Sequence, residues 1–163
     1  ERVVGTSQLI RSKGHIPGQR GFKMASETPS EIIAKKLQID PLQKVLHISR
    51  IRTADGIPVI LSEEYISLEL LQDSPLPFDA EGCDNWSIYE YLAQAGYSID
   101  MAGTRIKSLI ADRRLARLLE IKEGRSLLCL EQIHFSNSYL KPVLYCVNYH
   151  NDTIIDIEVV RKG

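Results

Sequence analysis

The sequence has few cysteines and no long apolar run. Cys83, Cys129 and Cys146 form no Cys-x-x-Cys pair and leave an odd thiol, which is typical of a reducing compartment rather than a secreted disulfide framework. No apolar run approaches the roughly 20 residues needed to cross a bilayer, and no signal-peptide pattern opens the chain. These absences predict a cytoplasmic protein with no membrane partner. Because the chain begins at Glu1 rather than Met, we interpret it as part of a longer protein.

An excess of basic residues is also missing. The 20 Lys and Arg residues are scattered among 21 Asp and Glu residues, and the formal net charge is −1. Proteins that bind nucleic acid on their own usually carry a basic stripe or a recognition helix with basic flanks, and the sequence has neither. We therefore expect that this chain alone does not bind DNA.

The common motifs of catalysis and metal binding are absent as well. The four histidines have no metal-ligand spacing, and the chain contains no HExxH, GxSxG, GxxxxGK(S/T) or GxGxxG motif. Glu63 and Glu64 are adjacent on a predicted strand, so their side chains point to opposite faces and cannot act as a catalytic pair. The sequence predicts no metal, no cofactor and no enzymatic activity.

Hydrophobic periodicity and turn residues predict the secondary structure. Helices are predicted over 4–13, from 28–31 toward Pro41, over 86–95 with Asp84-Asn85 as its cap, and over 113–120. Strands are predicted over 44–53, 57–66, 99–110, 127–135, 143–149 and 154–160, with an extended segment at 19–26. Sequential hairpins favour one α+β domain over residues 1–163, on a largely antiparallel sheet with flanking helices.

The hairpin between the first two predicted strands has a clear turn. Ala54-Asp55-Gly56 forms it, because Asp-Gly readily adopts positive φ. Pro58 lies near the start of the second strand. A proline there indicates an exposed edge or an end position, since it cannot donate to a sheet ladder.

The strand before this turn continues an apolar face with two arginines. Leu46, Ile48, Arg50 and Arg52 share one face by the period of two. A guanidinium stays charged and is costly to bury without a partner. One interpretation is a pair of anion-binding groups at the mouth of a pocket. The other is that the arginines reach solvent or form ion pairs with nearby carboxylates, among them Glu63, Glu64 and Glu131.

Two predicted helix starts could also bind an anion. Ser87 begins one helix and the segment Gly5-Thr6-Ser7 begins another. A helix start presents unpaired N–H groups and a partial positive charge, which a hydroxyl can join. The alternative is structural, with Ser87 as an ordinary first-turn residue and Tyr89 as a core aromatic.

The segment from Arg50 to Val59, followed by Tyr65-Ile66, resembles the "R-x-R-x-x-D/N-G-x-P" hairpin of UTRA domains. These are the effector-binding domains of the HutC-type branch of the GntR family of bacterial regulators. Three further blocks are similar in order and spacing: the helix at 87–92, the turn at 118–124 and the closing hairpin at 142–152.

The resemblance implies a chorismate-lyase-like α+β fold, a homodimer, and an N-terminal winged helix-turn-helix, absent from this sequence, that binds operator DNA. It also implies that Gly5, Thr6, Ser7, Arg50, Arg52, Ser87 and Tyr89 hold the anionic group of an effector such as a sugar phosphate. The remaining predicted effector-binding residues are Ser62, Glu64, Glu131, Leu144 and His150.

This sequence departs from the family pattern at the predicted far end of the site. Ser62 and Leu144 stand where many members have Glu, and His150-Asn151 replaces part of a Tyr-Arg-Gly-Asp run. Without those carboxylates, the far end is expected to prefer a less hydroxylated or more apolar group than an amino sugar.

Two functions follow from the resemblance. The first is a sensor that binds a small anionic metabolite and thereby changes the DNA affinity of a dimer. The alternative is a chorismate-lyase-like enzyme on the same fold, because fold alone does not decide function. A gene encoding about 70 further N-terminal residues with a winged-helix pattern, a size that the resemblance implies, would favour the sensor.

Overall fold

The computed structural model describes residues 5–76, 86–137 and 139–158. The helices are α1 (Thr6–Ser12), α2 (Glu31–Leu37), α3 (Ile88–Gln94) and α4 (Arg113–Leu119), with a 3-10 turn at Leu68–Leu71. The strands are β1 (Pro17–Glu27), β2 (Val45–Ala54), β3 (Ile57–Ser67), β4 (Met101–Ile110), β5 (Ser126–Ser136) and β6 (Tyr139–His150).

The strands form one sheet in the order β1-β2-β3-β6-β5-β4. Every neighbouring pair is antiparallel. The hairpins β2–β3 and β5–β6 lie side by side, so β3 and β6 are central and β1 and β4 are the two edges. This confirms the predicted α+β fold on an antiparallel sheet.

Local sequence signals start and end these elements. Asp55 and Gly56 have φ of 52° and 80°, as the predicted turn between β2 and β3 requires. Ser30 caps α2 by accepting a hydrogen bond from the N–H of Ile33 at 3.3 Å. Asp112 caps α4 in the same way through the N–H of Leu115 at 2.8 Å. The caps therefore fix where these helices begin.

The two faces of the sheet pack against different helices. One face, reached by the even-numbered residues of β2, packs on α3 through Leu46, Ile48, Ile66, Leu92 and Leu144. The opposite face packs on α2 and α4 through two clusters that include Leu37, Val45, Tyr145, Ile51, Leu61, Leu115 and Leu119. Neither face is open to water along its whole length, so a polar residue in a central strand is buried whichever way it points.

The prediction that Pro58 marks an edge is wrong, and its alternative is correct. Pro58 pairs with Thr53 at a register irregularity, and pairing of β3 with β6 begins two residues later at Ile60. Pro58 therefore occupies the unshared end of an interior strand, where its missing N–H costs no ladder bond with β6.

The predicted last strand over 154–160 is also wrong within the described residues. Residues 151–158 contain a turn and no strand. Asn151 accepts hydrogen bonds from the N–H of Thr153 at 3.4 Å and from its hydroxyl at 2.7 Å, which closes a local turn. The predicted helix cap at Asp84-Asn85 lies outside the described residues, and Ser87 is the N-cap of α3.

Candidate effector site

A cavity of about 470 Å³ lies between the even face of β2 and the first turns of α1 and α3. Eight of the twelve predicted effector-binding residues line it, namely Gly5, Thr6, Ser7, Arg50, Arg52, Glu64, Ser87 and Tyr89. The structure thus brings the arginine strand and the two predicted helix starts together. They lie far apart in the sequence and meet because both helices pack on the same face of the sheet.

Arg50 forms the ion pair of the second interpretation and also lines the cavity. It is buried and lines the cavity, and its Nη2 donates to Oε1 of Glu64 at 2.8 Å. Its Nη1 donates to the carbonyl of Trp86 at 3.1 Å, and its guanidinium lies 4.6 Å from the centre of the Trp86 ring. A cation over an aromatic face is stabilised by the ring quadrupole. Arg50 is therefore held rigidly at the wall of the cavity.

Arg52 is only 1% exposed and also lines the cavity. Its Nη2 donates to the hydroxyl of Ser7. Its Nη1 shares two acceptors with Arg50, the side-chain oxygen of Gln19 at 3.4 Å and the carbonyl of Trp86 at 3.5 Å. Two guanidinium groups that share neutral acceptors concentrate positive charge at one place. An anion that enters the cavity would offset this repulsion.

The start of α1 lies beside the guanidinium group of Arg52. Gly5 is its N-cap and provides no side-chain hydrogen bond to the first turn. Ser7, in that first turn, accepts from Arg52. The hydroxyl of Ser7 thereby fixes the position of Arg52 relative to α1.

Ser87 and Tyr89 have structural roles as well as positions in the cavity wall. Ser87 caps α3 by accepting from the N–H of Glu90 at 3.4 Å. The hydroxyl of Tyr89 hydrogen-bonds Nε2 of His134 at 2.7 Å, and burial raises the pKa of Tyr89 well above its ordinary value. Tyr89 therefore offers a ring to the cavity while its hydroxyl is committed to the protein.

Two buried histidines predict a loss of stability in mild acid. Burial lowers the pKa of both His134 and His150 to about 4. An unfolded chain takes up these protons near pH 6.5, so stability is expected to fall from about pH 6.5 toward pH 4. Each histidine contributes on the order of 3 kcal/mol to this loss. Urea unfolding at a series of pH values would measure it, and His150→Gln should reduce the slope.

His47 is expected to have the opposite effect on stability, so it checks the predicted direction of the pH dependence. Its pKa is raised chiefly by the hydrogen bond to Glu63, so its contribution to stability is lost as the pH rises. His47→Gln should therefore steepen the fall in acid, whereas His150→Gln should flatten it. Equal slopes in both variants and the wild type would contradict the assignment of the buried histidines.

Three of the other four predicted residues are buried outside the cavity lining. Ser62 and Leu144 are 1% and 0% exposed, and Leu144 belongs to the apolar core under α3. His150 is buried at the end of β6, where it pairs with Ile60 of β3. Ser62 on β3 and both Leu144 and His150 on β6 are buried because these two strands are central in the sheet.

Glu131 points away from the cavity. It lies on the opposite face, where it accepts from Lys107 at 2.7 Å and from the hydroxyl of Tyr145 at 3.1 Å and pairs with Lys36. The hydrogen bonds of Lys107 and Lys36 lower the pKa of Glu131 to about 2. Glu63 points the same way, so the predicted separation of Glu63 from Glu64 is correct. Glu131 holds the packing of α2 against the sheet.

Amide side chains form the wall of the cavity on β5 and β6, which we call the far wall. Gln132 of β5 and Asn148 of β6 line the cavity there, and the side-chain N–H of Asn148 donates to the oxygen of Gln132 at 3.2 Å. Sequence reasoning missed both, together with Gln19 and Trp86, which hold the arginines. The period of two places Asn148 on the face of Leu144, and this signal could have identified it.

The described residues contain no group of three or more His, Cys, Asp or Glu side chains that could hold a metal ion. In the same ranges, no helix is long and apolar enough to cross a membrane. The polar groups that line the cavity are arginines, amides, hydroxyls and the carboxylates of Glu64 and Glu90.

A comparison with protein families identifies this architecture. The model of the UTRA domain matches residues 12–155. The chain belongs to the UTRA domain family. The curated "Probable transcriptional regulator PhnF" of Escherichia coli (strain K12) is 23% identical over 151 residues, which are 92% of this chain and 61% of PhnF. The UTRA domain described here thus spans less than two thirds of that relative.

Solved structures of other regulators share the fold. The effector domain of PhnF from Mycobacterium smegmatis superposes with a TM-score of 0.84 at 17% identity, covering 100% of this chain and 99% of the other. The ligand-binding domain of a GntR-family regulator from Bordetella bronchiseptica gives 0.80 at 16% identity, covering 90% and 91%. These similarities confirm the fold that the arginine hairpin and its companion blocks predict for a UTRA domain.

Proposed function

We propose that this UTRA domain is the effector-binding domain of a GntR/HutC-type transcription regulator and binds a small anionic metabolite, such as a sugar phosphate. The observation that carries the proposal is the convergence of two buried arginines on one cavity. Arg50 and Arg52 share acceptors on Gln19 and Trp86. A guanidinium binds phosphate or carboxylate through parallel hydrogen bonds.

The edge strand β4 supports a homodimer. All of its side chains are exposed or half-buried, and they include Met101, Ile106 and Ile110 at 58%, 49% and 64% exposure. An edge with free backbone groups and apolar side chains favours pairing with another strand. The other edge, β1, carries a register irregularity between Arg20 and Lys23, which disfavours such pairing. We therefore place a second copy of this chain on β4.

A chain of side-chain hydrogen bonds supports coupling between the cavity and that edge. Asn148 lines the cavity and donates to Gln132, which donates to the hydroxyl of Thr104 on β4 at 3.2 Å. An effector that hydrogen-bonds Asn148 or Gln132 would compete with the hydrogen bonds that link Asn148, Gln132 and Thr104. Its binding would then favour one arrangement of the dimer, as any effector response requires.

The parent protein would bind operator DNA through an N-terminal winged helix that precedes this domain. The share of PhnF outside the aligned region supports a further domain of this kind. Because operator DNA lies in the bacterial cytoplasm, we propose that the protein acts there. Residues 1–163 would then act as one sensing and dimerisation domain.

The arrangement in the cavity favours binding over catalysis. Glu64, the buried carboxylate of its wall, pairs with Arg50, and a guanidinium cannot act as a general acid or base near neutral pH. The hydroxyl of Tyr89 is committed to His134. We therefore propose a sensor and not a chorismate-lyase-type enzyme.

A panel of small molecules tests the proposal by thermal melting at constant ionic strength. Inorganic phosphate, propyl phosphate and butanoate represent anions, and glucose represents a neutral sugar. An anion at about 100 times its dissociation constant should add roughly 2.7 kcal/mol to the free energy of unfolding. Glucose should add nothing. Stabilisation by glucose without any response to the anions would refute the proposal.

A further inference from the structure

Glu64 is a buried carboxylate that the fold leaves half satisfied. It is 5% exposed and lines the cavity. Its Oε1 accepts from Arg50 at 2.8 Å. Its Oε2 has no hydrogen-bond partner within residues 5–76, 86–137 and 139–158. One carboxylate oxygen thus accepts from Arg50, and the other is available to accept a hydrogen bond from a ligand.

The neighbours of Glu64 along the sheet do not supply the missing donor. Its register partners are Ile48 on β2, whose side chain has no donor, and Cys146 on β6, whose thiol makes no hydrogen bond to Oε2. A charged acceptor that is buried without a partner is costly, more so than a neutral one. The terminal torsion of glutamate is soft, so this oxygen can turn toward a ligand without movement of the strand.

Glu64 also changes the charge pattern that the sequence predicts for the cavity. Ser62 and Leu144 imply the loss of the usual carboxylates, yet Glu64 lies two residues after Ser62 and therefore on the same face of β3. Two carboxylates line the cavity, Glu64 and the exposed Glu90, and the buried one, Glu64, lies beside Arg50. A negative acceptor there attracts donors and repels a second anionic group.

We propose that Glu64 selects for a hydrogen-bond donor on the effector. The effector is then a small anion that also carries a hydroxyl or amino group, its anionic group on the arginines and its donor on Oε2 of Glu64. This inference rests on the proposed function and narrows it from anions in general to donor-bearing anions. Anions with two acidic groups and no donor are rejected.

Isosteric ligands test this selection by titration calorimetry. One set is propyl phosphate, 2-hydroxyethyl phosphate and 2-aminoethyl phosphate, and the other is butanoate, 3-hydroxypropanoate and 3-aminopropanoate. In at least one set, the wild type should bind a donor-bearing member at least about tenfold more tightly than the methyl-terminated one. The tighter of the hydroxyl and amino members identifies the donor.

Glu64→Gln assigns the preference to this side chain. Its amide oxygen can keep the bond to Arg50 while its NH₂ group, a donor, replaces the free acceptor. The tenfold preference should disappear or reverse, and binding of the methyl-terminated anion should remain. Glu63→Gln is the matched control, because it makes the same change at the adjacent residue on the opposite face and should keep the preference.

Two results would overturn the inference while leaving the proposed function intact. One is equal affinity of the wild type for methyl-terminated and donor-bearing anions in both sets. The other is an unchanged preference in a folded Glu64→Gln variant. Anion binding in either case leaves the proposed function standing. If neither set binds at all, the proposed function fails and this inference fails with it.

Discussion

Replacing Arg52 with methionine is expected to abolish most of the thermal shift that a saturating anion produces. Arg52 is 1% exposed and donates to Ser7, Gln19 and the carbonyl of Trp86 at the cavity wall. A hydrogen bond to a charged group contributes roughly 1.5–3 kcal/mol, and a two-pronged contact uses two of them. The affinity for the anion should therefore fall by at least about 100-fold.

The same variant should remain folded without ligand. Methionine retains much of the buried stem of Arg52, so it leaves only a small cavity. It also removes the repulsion between two guanidinium groups that share acceptors. We expect the ligand-free melting temperature to stay within about 5 °C of the wild type, a shift that corresponds to roughly 1–2 kcal/mol for a domain of this size.

Arg114→Met makes the same substitution at an arginine outside the cavity lining, with the opposite expected result. Arg114 donates to Glu63 at 2.8 Å on the other face of the sheet. Its loss leaves a buried carboxylate with fewer partners and should lower the melting temperature without changing the ligand-induced shift. If Arg52→Met unfolds the domain while Arg114→Met abolishes ligand binding, the roles assigned to these arginines are reversed.

The sequence was sufficient to predict the arginine wall of the site. The period of two on β2 places Arg50 and Arg52 on one face, and Asp55-Gly56 fixes the hairpin that follows. Both signals are local, because they depend on strand geometry and on the φ preference of a turn. The choice between anion binding and an ion pair depends on contacts between strands, which these local signals do not predict. Arg50 forms the ion pair because Glu64 reaches it from the neighbouring strand, and its binding of an anion stays a prediction.

The contact between Gln132 and Asn148 in the far wall could not be predicted because it depends on strand order. Gln132 and Asn148 meet only because β5 pairs with β6 and β6 pairs with β3, which brings the second hairpin beside the first. Hydrophobic patterns within a strand do not encode which hairpins become neighbours. The same limitation left the two interpretations of Pro58 open. A proline that suggests an edge is equally compatible with the unshared end of a central strand.

Ile106→Lys is expected to convert a dimer of this domain into a monomer. Ile106 is 49% exposed on β4, the edge strand on which we place the second copy. In a two-fold dimer the substitution occurs on both copies, so it removes two apolar contacts and adds two positive charges to one interface. Like charges brought together cost several kcal/mol. The dimer dissociation constant should therefore rise by at least about 100-fold, which light scattering at micromolar concentrations would detect.

Ile32→Lys separates this effect from a general response to an exposed lysine. Ile32 is 66% exposed on α2, outside strand β4, and undergoes the same change of side chain. We expect this variant to remain dimeric, and both variants to keep the circular dichroism of the wild type because both positions are already exposed. A wild type that is monomeric at tens of micromolar would refute the dimer. A dimeric Ile106→Lys protein would instead move the interface away from β4, and the hydrogen-bond chain from Asn148 to Thr104 could then no longer link the cavity to the partner.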